Sequence, residues 1–534
     1  VQTVEQTGIK NYFSEIVVKF FVVALIFVVA FVVQAGNLDT LGVTLLRQVD
    51  PTLNGSGVKV AQPEGSESDS NPNAFEVIAT SVGQPTNLFT YVNSTGGIAG
   101  GFPNTFGAGS SHATSVAGNF YGNAPPFYAG IATNIAHVDN YEADYFYNHW
   151  IAPGNSIQAR VVNQSFNFLP TGQAGIETDY DNYVVSRKTI FVTGGGNNGS
   201  ISTNPPATCF NGIAVGVTDG NSAVGPTSDG RCKPDIASPG SGVTSFAAPY
   251  VSGAAAVLLQ AGSRNDGGSS TSLTATNPIT VKALLLNGAI KSVDWTNGPT
   301  TPLDARYGAG VLNVFNSWNQ LRNGKRAFIE STTNTAGNPH PPGVNSGNEP
   351  SWSGWDHNTL STSTSQDAIN HYYFNLTGSN SYTFTATLVW NRQNNKSTVN
   401  NLDLFLYNTG NGNLVLSSTS AVDNVEHLFL PRLAPGRYDL QAMKRGIAGQ
   451  ISTAETYALA FEFFSMNLKI SLTNGSVILA WTNAPDGFRL VSAVSLNSPG
   501  PLVTVAASVS TTNGQNAVSV PVTGASQFFR LQRP

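Results

Sequence analysis

At 534 residues the chain exceeds what one hydrophobic core organises, and roughly one domain per 150 residues sets the expectation at three or four units. Only 11% of residues are charged and glycine occurs 54 times, which suits a β-rich exported protein better than a cytosolic helical one. A net charge of −5 without a basic run argues against a nucleic-acid partner.

The N-terminal stretch carries a compartment signal. Lys10 and Lys19 precede an unbroken apolar run from Phe20 to Val33, with small residues at Val33 and Ala35. As helix that run spans about 21 Å, short of a hydrocarbon core of roughly 30 Å. The pattern predicts a signal peptide over 1–35, cleaved before Gly36, with no stable membrane insertion afterwards. A secreted or cell-surface location, extracellular or periplasmic, follows. A membrane anchor is the competing reading, because Ile16 to Val18 extend the run beyond Lys19. The two cysteines, Cys209 and Cys232, leave a disulfide open.

From Gly57 to about Leu321, short apolar runs at 58–61, 132–138, 159–165, 189–193 and 212–218 read as strands. Helix-like stretches lie near 112–120, 141–149 and 174–187. That alternation predicts an α/β domain, over 36–325, with a parallel sheet covered by helices on both faces. Sites in such sheets form beyond the carboxyl ends of the strands, where Glu64 and Asn197 fall. A turn-rich stretch, 331–350, reads as a linker or long loop. Beyond it the period changes to two: in "YTFTATLVW", Tyr382, Phe384, Ala386, Leu388 and Trp390 share one face. Further strands of this kind predict an all-β, jelly-roll-like sandwich over 326–465. The remainder, 466–534, reads as a small β-module with a hairpin turning at Asn474-Gly475.

The segment most informative about chemistry is "GSGVTSFAAPYVSGAAAVLL", 240–259. Ser245 opens a small-residue helix at the positive end of its dipole, with Pro249 expected in the first turn. A nucleophilic serine there needs a base, an orienting acid and oxyanion donors. His112 in "SSHATSVAGNF" supplies a base, Glu64 in "GVKVAQPEGS" an acid, and the Asn197 amide with the Ser245 N–H the donors. Asp50, Glu67 and Asp69 are rival acids.

"TSFAAPYVSGAAAVLL" resembles the nucleophile segment of the subtilisin-like serine proteases, G-T-S-M-A-x-P-H-V-A-G. "HATSVAG" resembles that family's histidine segment, "GGGNNG" its oxyanion segment, and "GVKVAQPEGS" its acidic strand. "VVNQSFN" looks like the strand that pairs with substrate backbone, which assigns Ser165, Phe166 and Asn167 to substrate binding. The region 370–465 resembles the β-sandwich that follows the catalytic domain in some secreted members. The resemblance covers about 55% of the chain. It implies an exported serine endopeptidase, acting as a monomer on protein or peptide substrates. It implies no cofactor for the chemistry, and leaves structural calcium open.

Several residues depart from the family pattern. The acid is Glu64 where the family has Asp, one C–C bond or about 1.5 Å longer. Val243 stands where the family has Gly, so the turn must differ unless Gly242 takes the positive φ. Only Ser241 to Thr244 separate "SPG" from Ser245, which predicts a more open cleft. These departures feed a second reading, a catalytically weak or inactive member of the fold used for binding or surface attachment. An esterase or transpeptidase with the same nucleophile is a third.

Overall fold

The computed structural model describes residues 36–532, except 68–70, 72, 107, 169–171, 200–202, 339, 344–351, 379 and 449 and, past 465, the segments 466–467, 474–475, 483–488, 494–502, 506–508, 513–514 and 522–527. The expected signal peptide, Asp69 and the Asn474-Gly475 turn lie outside the described residues. Among the described residues no helix is long and apolar enough to cross a membrane.

The first sheet has eight strands: β1 (Lys59–Glu64), β2 (Phe89–Val92), β3 (Ile98–Gly100), β4 (His137–Glu142), β5 (Val161–Gln164), β6 (Ile190–Gly194), β7 (Ile213–Val217) and β8 (Ile236–Ser238). Their order is β8-β7-β6-β5-β1-β4-β2-β3, parallel throughout except for the edge pair β2–β3. The domain is thus an α/β unit built on a parallel sheet, as the alternating pattern predicts. After β4 the chain crosses from one side of β1 to the other, so a crevice opens at the carboxyl ends of β1, β4 and β5. The sequence pattern misplaces two elements. The run 132–138 forms no strand before His137, and the residues after it extend the pairing instead. The stretch 141–149 becomes a short helix, Ala143–Phe146, running into a π turn, Tyr147–Ile151.

Strand β1 extends further than its apolar run, through Pro63 to Glu64. It pairs with β5 only at Val60 and Ala61 and thereafter with β4 alone. A proline with no N–H is tolerated where one neighbour has been lost.

Three helices matter for the site: α1 (Ser111–Phe120), α2 (Gln173–Arg187) and α3 (Thr244–Ser263). The Ala/Gly-rich α3 is buried on nearly every side, because small side chains let it lie close to the sheet and to α1. A Cβ on Gly253 would stand 2.8 Å from Ile131 Cβ and 3.2 Å from the Phe120 carbonyl oxygen, so glycine permits that approach. Burial of this apolar surface, at about 25 cal/mol per Å², is the main force closing the domain.

Two antiparallel sheets follow. One orders β9 (Glu330–Thr335), β11 (Gln366–Leu376), β16 (Gly436–Lys444), β13 (Leu402–Asn408) and β14 (Leu414–Ser418). The other orders β10 (Ser353–Ser361), β17 (Ala454–Phe464), β12 (Tyr382–Trp390) and β15 (Val425–Leu433). Period-two alternation puts Phe384, Leu388, Leu404, Leu440 and Phe461 into a shared interior. Strand β9 occupies the start of the expected linker. Its Ser-Thr-Thr-Asn-Thr sequence is an exposed edge without an apolar face, so no hydrophobic period marks it. Beyond 465, a four-stranded and a three-stranded sheet enclose Leu479, Trp481, Leu490 and Val518.

The sandwich is docked firmly on the α/β unit. Helix α4 (Pro278–Asn287) ends in Asn287, whose Oδ1 accepts from the hydroxyls of Thr385 and Thr387, both at 3.0 Å. Trp355, fully buried, donates its indole N–H to the Leu321 carbonyl at 3.0 Å. Among the described residues both cysteines are free thiols, Cys209 buried and Cys232 partly so.

Candidate active site

Glu64 is the last residue of β1 rather than the first beyond it, and it is 1% exposed. His112 is the second residue of α1. Its Nδ1 lies 3.1 Å from Glu64 Oε2, so the longer side chain reaches the imidazole. The ring is 31% exposed. The hydrogen bond to Glu64 raises the imidazole pKa from its ordinary value. Burial pulls it down by less, and the charges of Glu64 and Glu67 add to the rise.

The start of α1 is held twice. Ser110 Oγ accepts the Ala113 N–H at 2.9 Å, an ordinary N-cap. Glu67 grips the same turn from outside: Oε1 accepts the His112 N–H at 2.7 Å and the Ser111 hydroxyl at 2.9 Å, and Oε2 accepts the Ser111 N–H at 2.8 Å. Partial burial pushes the Glu67 pKa up, but these bonds outweigh it and hold the carboxyl below its usual value. Of the rival acids, Glu67 therefore meets the backbone of His112 and not its ring. Asp50 pairs with Arg264 and caps Thr52 instead.

Ser245 is the second residue of α3, among the first N–H groups of a helix, which find no partner within it. The preceding turn uses Gly242, at φ 86°, for the left-handed step, while Val243 is extended at φ −133°. Glycine one position early thus resolves the departure at Val243. Asp219 Oδ1 pins the turn by accepting from the N–H groups of Gly240 at 3.0 Å and Gly242 at 3.3 Å.

Pro249 lies inside α3 and not in its first turn, as the sequence pattern suggested. It cannot donate to the carbonyl four residues back, which is that of Ser245. Ser165 Oγ supplies the missing donor at 2.8 Å, and itself accepts from Asn163 Nδ2 at 3.1 Å. Asn163 Oδ1 in turn accepts the Ser252 hydroxyl at 2.9 Å. The Ser245 hydroxyl donates to the Ser165 carbonyl at 3.4 Å.

Asn197 follows β6 and is exposed. Its Oδ1 accepts from the Thr244 N–H at 2.8 Å and the Thr244 hydroxyl at 2.9 Å. Because Val243 has no side chain that can cap α3, Asn197 caps it from a distance. Both donors on Thr244 require an oxygen opposite them, so the amide NH₂ must point the other way. Thr244 Oγ1 also accepts the Gly196 N–H at 3.2 Å.

Of the expected substrate-binding residues, Ser165 is nearly buried beside Ser245. Phe166 is half-buried with its ring edge-on to Phe168 at 5.4 Å. Asn167 is exposed and donates to the Gly194 carbonyl at 3.0 Å. The rings of His112 and Phe246 are 5.8 Å apart, and Asn119 of α1 donates to the Phe246 carbonyl at 2.9 Å. The two helices thereby bring His112 and Ser245 into one crevice with Glu64, Asn197 and Ser165. Glu67, named from the sequence as a rival acid, holds the first turn of α1 instead, while Gln62 and Tyr121 escape a reading by motif. Only the period-two alternation of β1, which puts Gln62 on the same face as Glu64, could have flagged one of them.

Residues 99–310 match the model of the Subtilase family, Peptidase_S8. No curated protein matches the chain. Among solved structures, the self-cleaved protease domain of PatA is 24% identical, with a TM-score of 0.35, over 51% of this chain and 99% of its own. The Prenylagaramide maturation protease PagA is 22% identical, with a TM-score of 0.37, over 52% of this chain and 98% of its own. Tripeptidyl Peptidase 2 is 13% identical, with a TM-score of 0.33, over 76% of this chain and 44% of its own.

Proposed function

We propose that the chain, whose residues 99–310 match the Subtilase family model, is an exported serine endopeptidase with a Glu64-His112-Ser245 triad. The observation that carries this reading is the 3.1 Å contact between His112 Nδ1 and Glu64 Oε2, with His112 on the helix that touches Phe246 next to Ser245. In the proposed reaction Ser245 Oγ attacks the scissile carbonyl. His112 Nε2 takes the hydroxyl proton and returns it to the leaving amine, and water then hydrolyses the acyl-enzyme by the same route. The serine hydroxyl, which donates to the Ser165 carbonyl in the structure, must first turn to the imidazole. Catalytic hydrogen bonds are often loose before substrate arrives.

Glu64 keeps the Nδ1 proton in place and offsets the imidazolium charge as it forms. The Asn197 NH₂ and the Ser245 N–H, at the positive end of α3, receive the developing oxyanion. Peptide backbone lies along Ser165 to Asn167. The chemistry draws on no cofactor. The apolar run from Phe20 to Val33 supports export.

The direct test is hydrolysis of an unfolded protein substrate by the full chain, with Ser245→Ala and His112→Ala as controls. Internal cleavage that disappears in both variants supports the reading. A folded wild type that cleaves no peptide bond favours the binding-protein alternative.

A further inference from the structure

Behind the acid lies a polar chain with no place in the scheme above. Gln62 and Tyr121 are both fully buried. Tyr121 Oη donates to Gln62 Oε1 at 2.6 Å. Gln62 Nε2 donates to Glu64 Oε1 at 2.8 Å and to the Ala113 carbonyl at 2.9 Å. We propose that Gln62, locked by Tyr121, is the positioning residue that aims Glu64 at His112. The inference rests on the triad reading and identifies what makes a glutamate serviceable there.

The argument begins with rotamers. Glutamate has one more rotatable bond than aspartate, so a carboxylate on a longer arm must be held by something other than its own backbone. Glu64 Oε2 is engaged by the imidazole, and Oε1 is held by the Gln62 amide. Two oxygens anchored on two partners define the plane of the carboxylate.

Gln62 could rotate its amide by half a turn and present oxygen to oxygen. Tyr121 prevents this, because its hydroxyl donates to Oε1, while the Ala113 carbonyl accepts only from an N–H. All three contacts agree on one orientation. The Ala113 carbonyl belongs to α1 itself, so Gln62 bridges the acid on β1 and the helix that carries the base. Tyr121 follows directly on α1 and packs against Phe89 and Phe120, at centroid distances of 5.9 and 5.1 Å. Burial, reinforced by the charge of Glu64, raises the Tyr121 phenol far above its ordinary range, so it stays a donor. Among the described residues, the groups bonded to the Glu64 carboxylate are thus Gln62 on its own strand and His112 from α1, with Tyr121 one bond further back, while Glu67 adds its charge on His112 from outside.

The test uses the full chain with Tyr121→Phe, which keeps the buried ring, and Gln62→Met, which keeps the volume. Each is read by the pH dependence of kcat and kcat/KM on a peptide substrate, and by titration of the His112 imidazole with ¹³C-labelled histidine. The His112→Ala spectrum identifies the resonance. The expected result is a loss on the order of tenfold in kcat with KM within about twofold, the scale of one hydrogen bond to a charged group. The His112 pKa moves down and the acid limb of the rate profile follows it. A role in stability alone would lower melting temperature and leave the titration in place. Wild-type kcat and an unmoved His112 pKa in folded Tyr121→Phe would overturn the proposal. If the wild type proves inactive, the triad reading falls, and the imidazole titration still decides whether Gln62 and Tyr121 aim the acid.

Discussion

Asn197 accepts both donors of Thr244 through a single oxygen, the N–H at 2.8 Å and the hydroxyl at 2.9 Å. One contact therefore caps α3, whose own N-cap is a valine, and turns the amide NH₂ away from the helix. Asn197→Leu is expected to lower kcat by about 10²–10³ with a small change in KM, the effect of losing an oxyanion donor. It should also destabilise the fold by about 1 kcal/mol through the lost cap. Thr244→Val separates the two roles: the N–H remains and the hydroxyl goes, so kcat should fall more than stability. Steady-state kinetics alongside thermal melting checks both.

Glu64 offers a second contrast. Glu64→Gln keeps the shape but offers the imidazole an amide in place of a charged acceptor, and kcat should fall by about 10⁴. Glu64→Asp restores the residue type of the resembling family, yet withdraws the carboxylate by about 1.5 Å from Gln62 and His112 together. Activity below that of the wild type is expected of Glu64→Asp as well, despite the conserved charge. Turnover equal to or above the wild type would show that the site is not built around the longer acid.

Glu67 lies outside the proposed chemistry but closes the N-terminus of α1. Its pKa is lowered in the folded protein, so its stabilising effect is complete above the ordinary glutamate value and is lost as pH falls through the lowered one. Glu67→Gln should therefore lower stability at pH 7, and by progressively less as pH falls through the lowered value. Urea unfolding over that pH range measures the difference.

The imidazole titrates in the opposite sense. His112 is raised, so its contribution to stability is full below the ordinary histidine value and is lost as pH rises through the raised one. Catalysis needs the neutral ring, and the acid limb of kcat/KM should accordingly lie above the ordinary histidine value near 6.5. In Glu64→Gln that limb should move to lower pH.

Asn287 joins the two large units. It is buried, accepts from Thr385 and Thr387, and donates to Gln320 Oε1 at 3.0 Å. Asn287→Ala removes the acceptor of both threonines and the donor to Gln320, although Thr387 keeps His427 Nδ1 at 2.8 Å, and should destabilise by about 1–3 kcal/mol. Because the contact spans both units, unfolding followed by tryptophan fluorescence should shift as one transition.

The α/β alternation and the period-two strands were legible because burial on two faces or one leaves a direct mark on hydrophobic pattern. The edge strand β9 left none, since its threonines and serines face water on both sides. Strand β4 was misplaced because its pairing runs through His137, Asp139 and Asn140, polar residues of which His137 meets Thr90 and Asn140 meets Gln62 across the fold. At the site, Ser245, His112 and Asn197 stand in short segments whose residue types are constrained by neighbours in sequence. Gln62 and Tyr121 act across elements, and distance in three dimensions leaves no local signature; Glu67 was visible as an acid, but its grip on α1 was not. Pro249 was read correctly as a helix residue but one turn too early. The structure shows why that matters: it frees the Ser245 carbonyl for Ser165.

The central claim is that Ser245 is a nucleophile activated by His112 and Glu64. Its most direct measurement is covalent labelling of the full chain by a fluorophosphonate, with the adduct located by mass spectrometry. The account expects one adduct, on Ser245, absent from Ser245→Ala and formed more slowly by at least about 10³-fold in Glu64→Gln. Absence of any adduct on the folded wild type, or equal labelling rates for wild type and Glu64→Gln, would contradict it.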